Sequence, residues 1–231
     1  MFTLLKKSTT SSLRRALRNV RTEYRISKMH QEGKRAARAY ANDKNLKLHV
    51  GCGHTIKPGW VNVDLNRSAD VSLDLREPLP FADGSCSMVY SEHFIEHLEY
   101  PAETTPFLRE SFRVLNTDGI FSLGVPDMEW PTRAYAGDAA FAGWFEYVAG
   151  AYPASQQLTT RAEFVNYSFR QVTEHKFAWD FETMGKALSL VGFTEIKRRP
   201  FDPLLDSAQS HFAFGANMAS DTTLYVEARK P

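Results

Sequence analysis

The chain has 231 residues, of which 43% are apolar, 13% aromatic and 24% charged; this is the composition of an ordinary globular protein and excludes disorder throughout. No apolar run approaches the roughly 18 residues of a membrane span, and MFTLLKKSTTSSLRR has no continuous apolar stretch before a small-residue cleavage site, so no secretory leader is expected. Cys52 and Cys86 are too few for a disulfide scaffold or a cysteine-built zinc site, and a reducing cytoplasm is the expected compartment.

The net charge of +1 is unevenly spread. Residues 1–48 hold 13 Lys/Arg against 3 Asp/Glu, a balance of +10, and the remainder balances at −9. A basic helical extension over 1–44 is therefore expected in front of a mildly acidic domain over 45–231. Leu13, Leu17, Val20 and Tyr24 recur at helical spacing among Arg14, Arg15, Arg18, Arg21 and Arg25, with Ser11 or Ser12 as the cap. Such a helix can dock on the chain's own body, lie on an anionic membrane or nucleic acid, or bind a partner.

From Leu46 the pattern turns to strands. One run, 46–50, ends in Gly51-Cys52-Gly53; a second, 60–65, alternates and carries Asp64 at its end; a third, 71–75, carries Asp74. The fourth, 87–90, leads into Ser91-Glu92-His93. A helix is expected from about 106 to 115, then a buried strand over 119–125 that Pro126 stops. Residues 128–172 carry ten aromatic rings without a strand pattern, and read as two or three helices inserted after the fifth strand, part subcore and part lid over a ligand pocket. Asp180 can cap a helix over 181–191 ended by Gly192, and strands over 195–199 and 223–229 close the chain. The alternation implies a doubly wound, mostly parallel α/β sheet.

Glycine after a buried strand lets backbone approach a ligand that a Cβ would exclude. Asp64 at the next strand end could grip a ribose diol, and Asp74-Leu75 an adenine edge. Their convergence points to an adenosine-bearing cofactor. A dinucleotide fingerprint fits poorly: no third glycine follows Gly53, and Asp64 comes 13 positions after Gly51 where that fingerprint puts its acid about 20 on. Only His54–Gly59 separates the turn from the second strand, so the helix N-terminus that would hold a pyrophosphate is missing.

Taken as a set, these segments resemble class I S-adenosylmethionine-dependent methyltransferases, in the short bacterial form with a reduced first helix. The carrying residues are Leu48-His49-Val50-Gly51-Cys52-Gly53, Pro58-Gly59-Trp60 through Asp64, Asp74-Leu75 with Leu79-Pro80-Phe81, Ser91-Glu92-His93 through Glu96-His97-Leu98, Arg113-Val114-Leu115, Val125-Pro126-Asp127 and Val191-Gly192-Phe193. The similarity covers about 46–127 and 173–230, and departs at Asn116-Thr117-Asp118-Gly119, where the family usually has Lys-Pro-Gly-Gly. It implies a Rossmann-like fold and methyl transfer from S-adenosylmethionine, leaving S-adenosylhomocysteine, to an oxygen or nitrogen of a small molecule or saccharide. It also implies Gly51, Cys52 and Gly53 beneath the methionine part of the cofactor, Asp64 on the ribose, and Asp74 with Leu75 at the adenine. Ser91, Glu92 and His93 would then lie closest to the methyl group.

A hydroxyl acceptor also needs a base, for which His93 is first choice and His175 second. The aromatic insertion, with few basic residues, favours a small, partly apolar acceptor beside Trp144 or Tyr147. A non-catalytic nucleotide- or RNA-binding module is the alternative. His93-Phe94-Ile95-Glu96-His97 also matches the H-x-x-E-H pattern of inverted zinc peptidases, with Glu174 as a downstream ligand. Inside the methyltransferase series it reads as a chance match. No metal is expected, and Glu96 and His97 are expected to buttress the following helix, leaving His93 alone on the pocket.

Overall fold

Helix α1 (Ser11–Ala36) starts one residue ahead of the serines expected to cap it. Thr10 is extended, and its hydroxyl accepts from Leu13 N at 3.2 Å, which leaves Ser11 and Ser12 inside the first turn. The computed structural model describes residues 10–151, 158–206 and 222–231. The expected apolar stripe of α1 faces solvent: Leu13, Leu17, Val20 and Tyr24 are between 48% and 74% exposed. Docking is left to the far end of the helix, where His30 and Gly33, and Ala37 just beyond it, are buried. A Cβ at Gly33 would sit 1.9 Å from the Ser72 carbonyl oxygen, so only glycine lets the helix reach the sheet there.

The strands are β1 (Leu46–Val50), β2 (Val61–Asp64), β3 (Val71–Ser72), β4 (Cys86–Glu92), β5 (Leu115–Pro126), β6 (Thr194–Arg198) and β7 (Thr223–Arg229). They form one sheet in the order β3-β2-β1-β4-β5-β7-β6, parallel from β3 to β5, with β7 antiparallel to both neighbours. This is the doubly wound, mostly parallel sheet that the sequence implies. The chain winds outward from β1 to β3, then returns to lay β4 on the other side of β1, which opens a crevice at the carboxyl ends of β1 and β4. β3 stops at Ser72, short of Leu75, because the chain turns to let Asp74 bind Arg76. β5 begins at Leu115 because that residue pairs with Cys86 across a register shift.

Alternation gives the sheet two different faces. Leu48, Val50, Val63, Val89, Phe121 and Leu123 belong to the apolar core with Phe107 and Leu108 of α2 (Thr104–Val114) and Met184 and Leu188 of α6 (Phe181–Val191). α6 is capped as expected by Asp180, whose Oδ1 accepts from Thr183 N at 2.8 Å, and ends at Gly192 with φ +115°. The other face carries buried His49, Asn62, Tyr90, Glu92 and Tyr225. No helix follows β1 or β2 to cover it. A polar lattice closes it instead: Arg199 forks onto Asp206 with two bonds of 2.6 Å, and the Tyr90 hydroxyl donates to Asp206 at 3.0 Å. The Lys57 ammonium lies 4.9 Å from the Tyr90 ring centroid and donates to the Leu205 carbonyl. Burial, with Lys57 nearby, pushes the His49 pKa down to about 4.

After β5 come α3 (Glu129–Ala136), α4 (Trp144–Ala151) and α5 (Arg161–Arg170), three helices as expected among the described residues. Ala134, Trp144 and Val148 form a second small core with Trp130, Phe141, Phe145 and Phe164. Tyr152 and the Tyr147 side chain lie outside the described residues.

Candidate active site

The turn after β1 is held against β2 by Gly51 N, which donates to the Val63 carbonyl at 2.8 Å. Gly51 has φ +69°, and a Cβ there would meet Phe94 at 2.5 Å; its glycine lets the turns after β1 and β4 press together. Gly53 has φ +52° and nothing within 4 Å of where a Cβ would stand, so it borders open space. Its N–H donates to Asp64 Oδ2 at 2.9 Å, while Asp64 Oδ1 accepts from Asn66 N at 2.8 Å. Asn66 Nδ2 closes the ring by donating to the Gly53 carbonyl at 2.9 Å. A carboxylate with acceptor capacity left on each oxygen, beside an open glycine turn, fits a ribose diol. Cys52, between the two glycines, is buried, and burial pushes its thiol up to about 12, so it stays protonated.

The other expected cofactor residues divide. Ser91 and Glu92 are neighbours on opposite faces: the Ser91 hydroxyl is buried without a partner, and Glu92 Oε1 accepts from the Tyr225 hydroxyl at 3.2 Å. Leu75 is in the apolar core. The Asp74 carboxylate has a partner of its own. Arg76 takes it through Nε at 2.9 Å and a terminal nitrogen at 2.7 Å, and reaches on to Glu23 of α1 at 2.9 Å. Burial alone would raise the Asp74 pKa, but the hydrogen bonds from Arg76 hold it below the usual carboxylate range. Sequence reasoning missed Arg76, since an arginine two residues after an acid looks like any surface pair.

At the end of β4, His93 adopts φ +51°, a left-handed conformation costly for a residue with a Cβ, while its N–H donates to the Gly124 carbonyl at 2.8 Å. It borders a cavity of about 450 Å³ walled also by Glu96, His97, Asp127, Trp144 and His175. The expectation that His93 alone faces the pocket, with Glu96 and His97 propping α2, is corrected here. Residues 95–97 form one tight 3-10 turn, and α2 begins only at Thr104, so these side chains meet the 174–177 segment instead. That segment is fastened to them: Lys176 N and Phe177 N donate to the Glu96 carbonyl at 2.7 and 3.3 Å.

The His97 and His175 rings stand edge to face, 5.0 Å apart. Burial holds His175 below its ordinary pKa, against the pull of Glu96, so it is neutral. His93 Nδ1 lies 3.3 Å from Glu96 Oε1, and Nε2 lies 3.5 Å from the Thr223 hydroxyl. Burial opposes charge on both His93 and Glu96, but their proximity prevails, raising the imidazole pKa and lowering that of the carboxyl.

Residues 31–123 match the family model of the methyltransferase domain, a span running from the docked end of α1 through both turns of the crevice into β5. This span of the chain is a methyltransferase domain. Solved structures to which this methyltransferase is similar include S-adenosylmethionine-dependent methyltransferases of three organisms. That of Thermotoga maritima is 13% identical, with 94% of this chain and 97% of that one covered and a TM-score of 0.45. That of Archaeoglobus fulgidus is 16% identical, with 87% and 94% covered and a TM-score of 0.46. That of Mesorhizobium loti is 16% identical, with 84% and 95% covered and a TM-score of 0.46. No curated protein matches the methyltransferase.

Proposed function

We propose that this methyltransferase passes the sulfonium methyl group to an oxygen or nitrogen of a small, partly apolar molecule or saccharide seated beside His93. The observation that carries this reading is the cavity of about 450 Å³, with His93 at the end of β4 on one side and Trp144 and Val148 of the insertion on the other. Helices α3 to α5 are read as its lid. The insertion over 128–172 has only Arg133, Arg161 and Arg170 as basic residues, against Glu129, Asp138, Glu146 and Glu163, which favours a small acceptor over RNA.

The bound cofactor supplies an already activated methyl group, so the protein's task is alignment and exclusion of water. Gly51, Cys52, Gly53 and Asp64 are the residues assigned to the methionine and ribose parts, with Leu75, Ser91 and Glu92 around the adenosine and methyl ends. His93 is the first choice to take a proton from a hydroxyl acceptor, and neutral His175 the second. The exposed apolar stripe and arginines of α1 suit an anionic surface or a partner protein. Among the described residues no helix is long and apolar enough to cross a membrane. Two free, buried cysteines suit a cytoplasmic setting.

Asp64 decides the cofactor assignment. Asp64→Asn should weaken S-adenosylhomocysteine binding by about 2–4 kcal/mol, the scale of lost charge-assisted hydrogen bonds. Calorimetry giving wild-type affinity in a folded variant would remove the site from this groove.

A further inference from the structure

The cavity holds a cluster that methyl transfer by His93 does not use. Glu96, His97 and His175 each offer one ligand atom, and the three atoms lie within 4.8 Å of one another. Two independent features point to a cation among them. Glu96 is 2% exposed, and neither carboxylate oxygen receives an aligned hydrogen bond; His93 Nδ1 pairs with Oε1 at 3.3 Å, which leaves Oε2 buried with no partner at all. A buried carboxylate oxygen without a donor is strongly unfavourable, and a cation beside it removes that cost. The second feature is the orientation of the imidazoles. His97 Nδ1 lies 3.2 Å from the Glu174 carbonyl oxygen, and His175 Nδ1 lies 3.2 Å from that of Ser168. A carbonyl only accepts, so each Nδ1 is the donor, which leaves each Nε2 as the nitrogen available to ligate. Metal-bound histidines are oriented in this way by their outer partners.

We propose that Glu96, His97 and His175 form a two-histidine, one-carboxylate site for a divalent transition cation of the zinc type, whose open positions hold an oxygen of the acceptor. The last clause rests on the methyl-transfer reading; the site itself does not. Two imidazoles and one carboxylate suit zinc and its neighbours better than magnesium or calcium, which take oxygen ligands. Bonds of about 2.0–2.1 Å to tetrahedral zinc set ligand atoms about 3.3 Å apart, so the cation draws the three side chains inward.

Bound to the cation, an acceptor hydroxyl loses its proton to water more readily. Its oxygen lone pair then forms the new O–CH₃ bond as the CH₃–S⁺ bond breaks, and that electron pair leaves sulfur as a neutral thioether. The H-x-x-E-H match is thereby partly recovered: Glu96 and His97 are ligands, and His175, next to Glu174, is the third.

The test uses full-length protein freed of metal by a chelator, then titrated with Zn²⁺ by calorimetry and with Co²⁺ by visible absorption. One saturable ion per chain is expected, with Glu96→Gln and His175→Ala each binding roughly 100-fold more weakly, and His54→Ala, outside the cluster, binding as the wild type does. Acetohydroxamate added to the Co²⁺ protein should shift its visible bands, because it enters the open positions. No saturable binding by the wild type, or wild-type affinity in both cluster variants, overturns the site; unshifted bands overturn the acceptor-holding role. S-adenosylhomocysteine binding, measured alongside, separates the two readings: cofactor bound without zinc refutes only the cation site, and zinc bound without cofactor refutes only the methyl-transfer assignment. The wild-type titration decides even where a variant does not fold.

Discussion

Gly51 and Gly53 flank one cysteine, and both have positive φ, yet they answer to different demands. At Gly51 a methyl group would meet Phe94 at 2.5 Å; at Gly53 it would meet nothing within 4 Å. Gly51→Ala should therefore destabilise the fold by about 2 kcal/mol or more, from overpacking added to backbone strain. Gly53→Ala should cost only about 1 kcal/mol of backbone strain while weakening S-adenosylhomocysteine binding. Urea unfolding and calorimetry on both variants check the split, and equal losses of stability would contradict it. The sequence shows a glycine turn without showing that one glycine serves packing and the other the crevice, because Phe94 reaches Gly51 only through the tertiary fold. The same holds for His93, Glu96 and His97. Their spacing was legible, but which way they face depends on a 3-10 turn and on a segment nearly eighty positions away.

Elements with strong local signals were readable to the residue. Asp180 and Gly192 bound α6 as expected because caps act within one turn, and β7 follows its alternating apolar run. Helix α1 was expected, but where it docks was not legible because its docking end carries no apolar pattern. His30, Gly33 and Ala37 meet the sheet, while the periodic stripe stays in water. This reverses the usual sign of a helix substitution. Gly→Ala inside a helix normally stabilises by about 0.8–1 kcal/mol, but Gly33→Ala should destabilise by about 2 kcal/mol or more, since the new methyl meets fixed backbone at Ser72. Leu17→Gln, at a position 54% exposed, should stay within about 0.5 kcal/mol of wild type. Thermal unfolding of the two variants is the check, and a stabilised Gly33→Ala would place the helix away from β3.

Across the whole molecule, the absent helices after β1 and β2 leave a sheet that is apolar on one side and polar on the other. Asp206, fully buried, holds the polar side through Arg199 and Tyr90, and also accepts from Asp202 N at 2.7 Å. Asp206→Ala leaves the Arg199 guanidinium, 9% exposed, without its partner. The expected loss is about 3–5 kcal/mol, the scale of a broken buried pair. Urea unfolding measures it, and a loss under about 1 kcal/mol, the range of an exposed ion pair, would mean that Arg199 finds another acceptor. Sequence patterns could not supply this face. His49, Asn62, Tyr90 and Glu92 look like solvent-facing alternates of half-buried strands until the 199–206 segment is laid over them.

The polar face also bears on how stability varies with temperature. Unfolding raises heat capacity in proportion to the apolar surface it exposes and lowers it in proportion to the polar surface. A sheet with one apolar face releases less of the first and more of the second than a sheet sandwiched between two oily layers. Its heat-capacity increment per residue is correspondingly small, and the curve of unfolding free energy is shallow on both sides of its maximum.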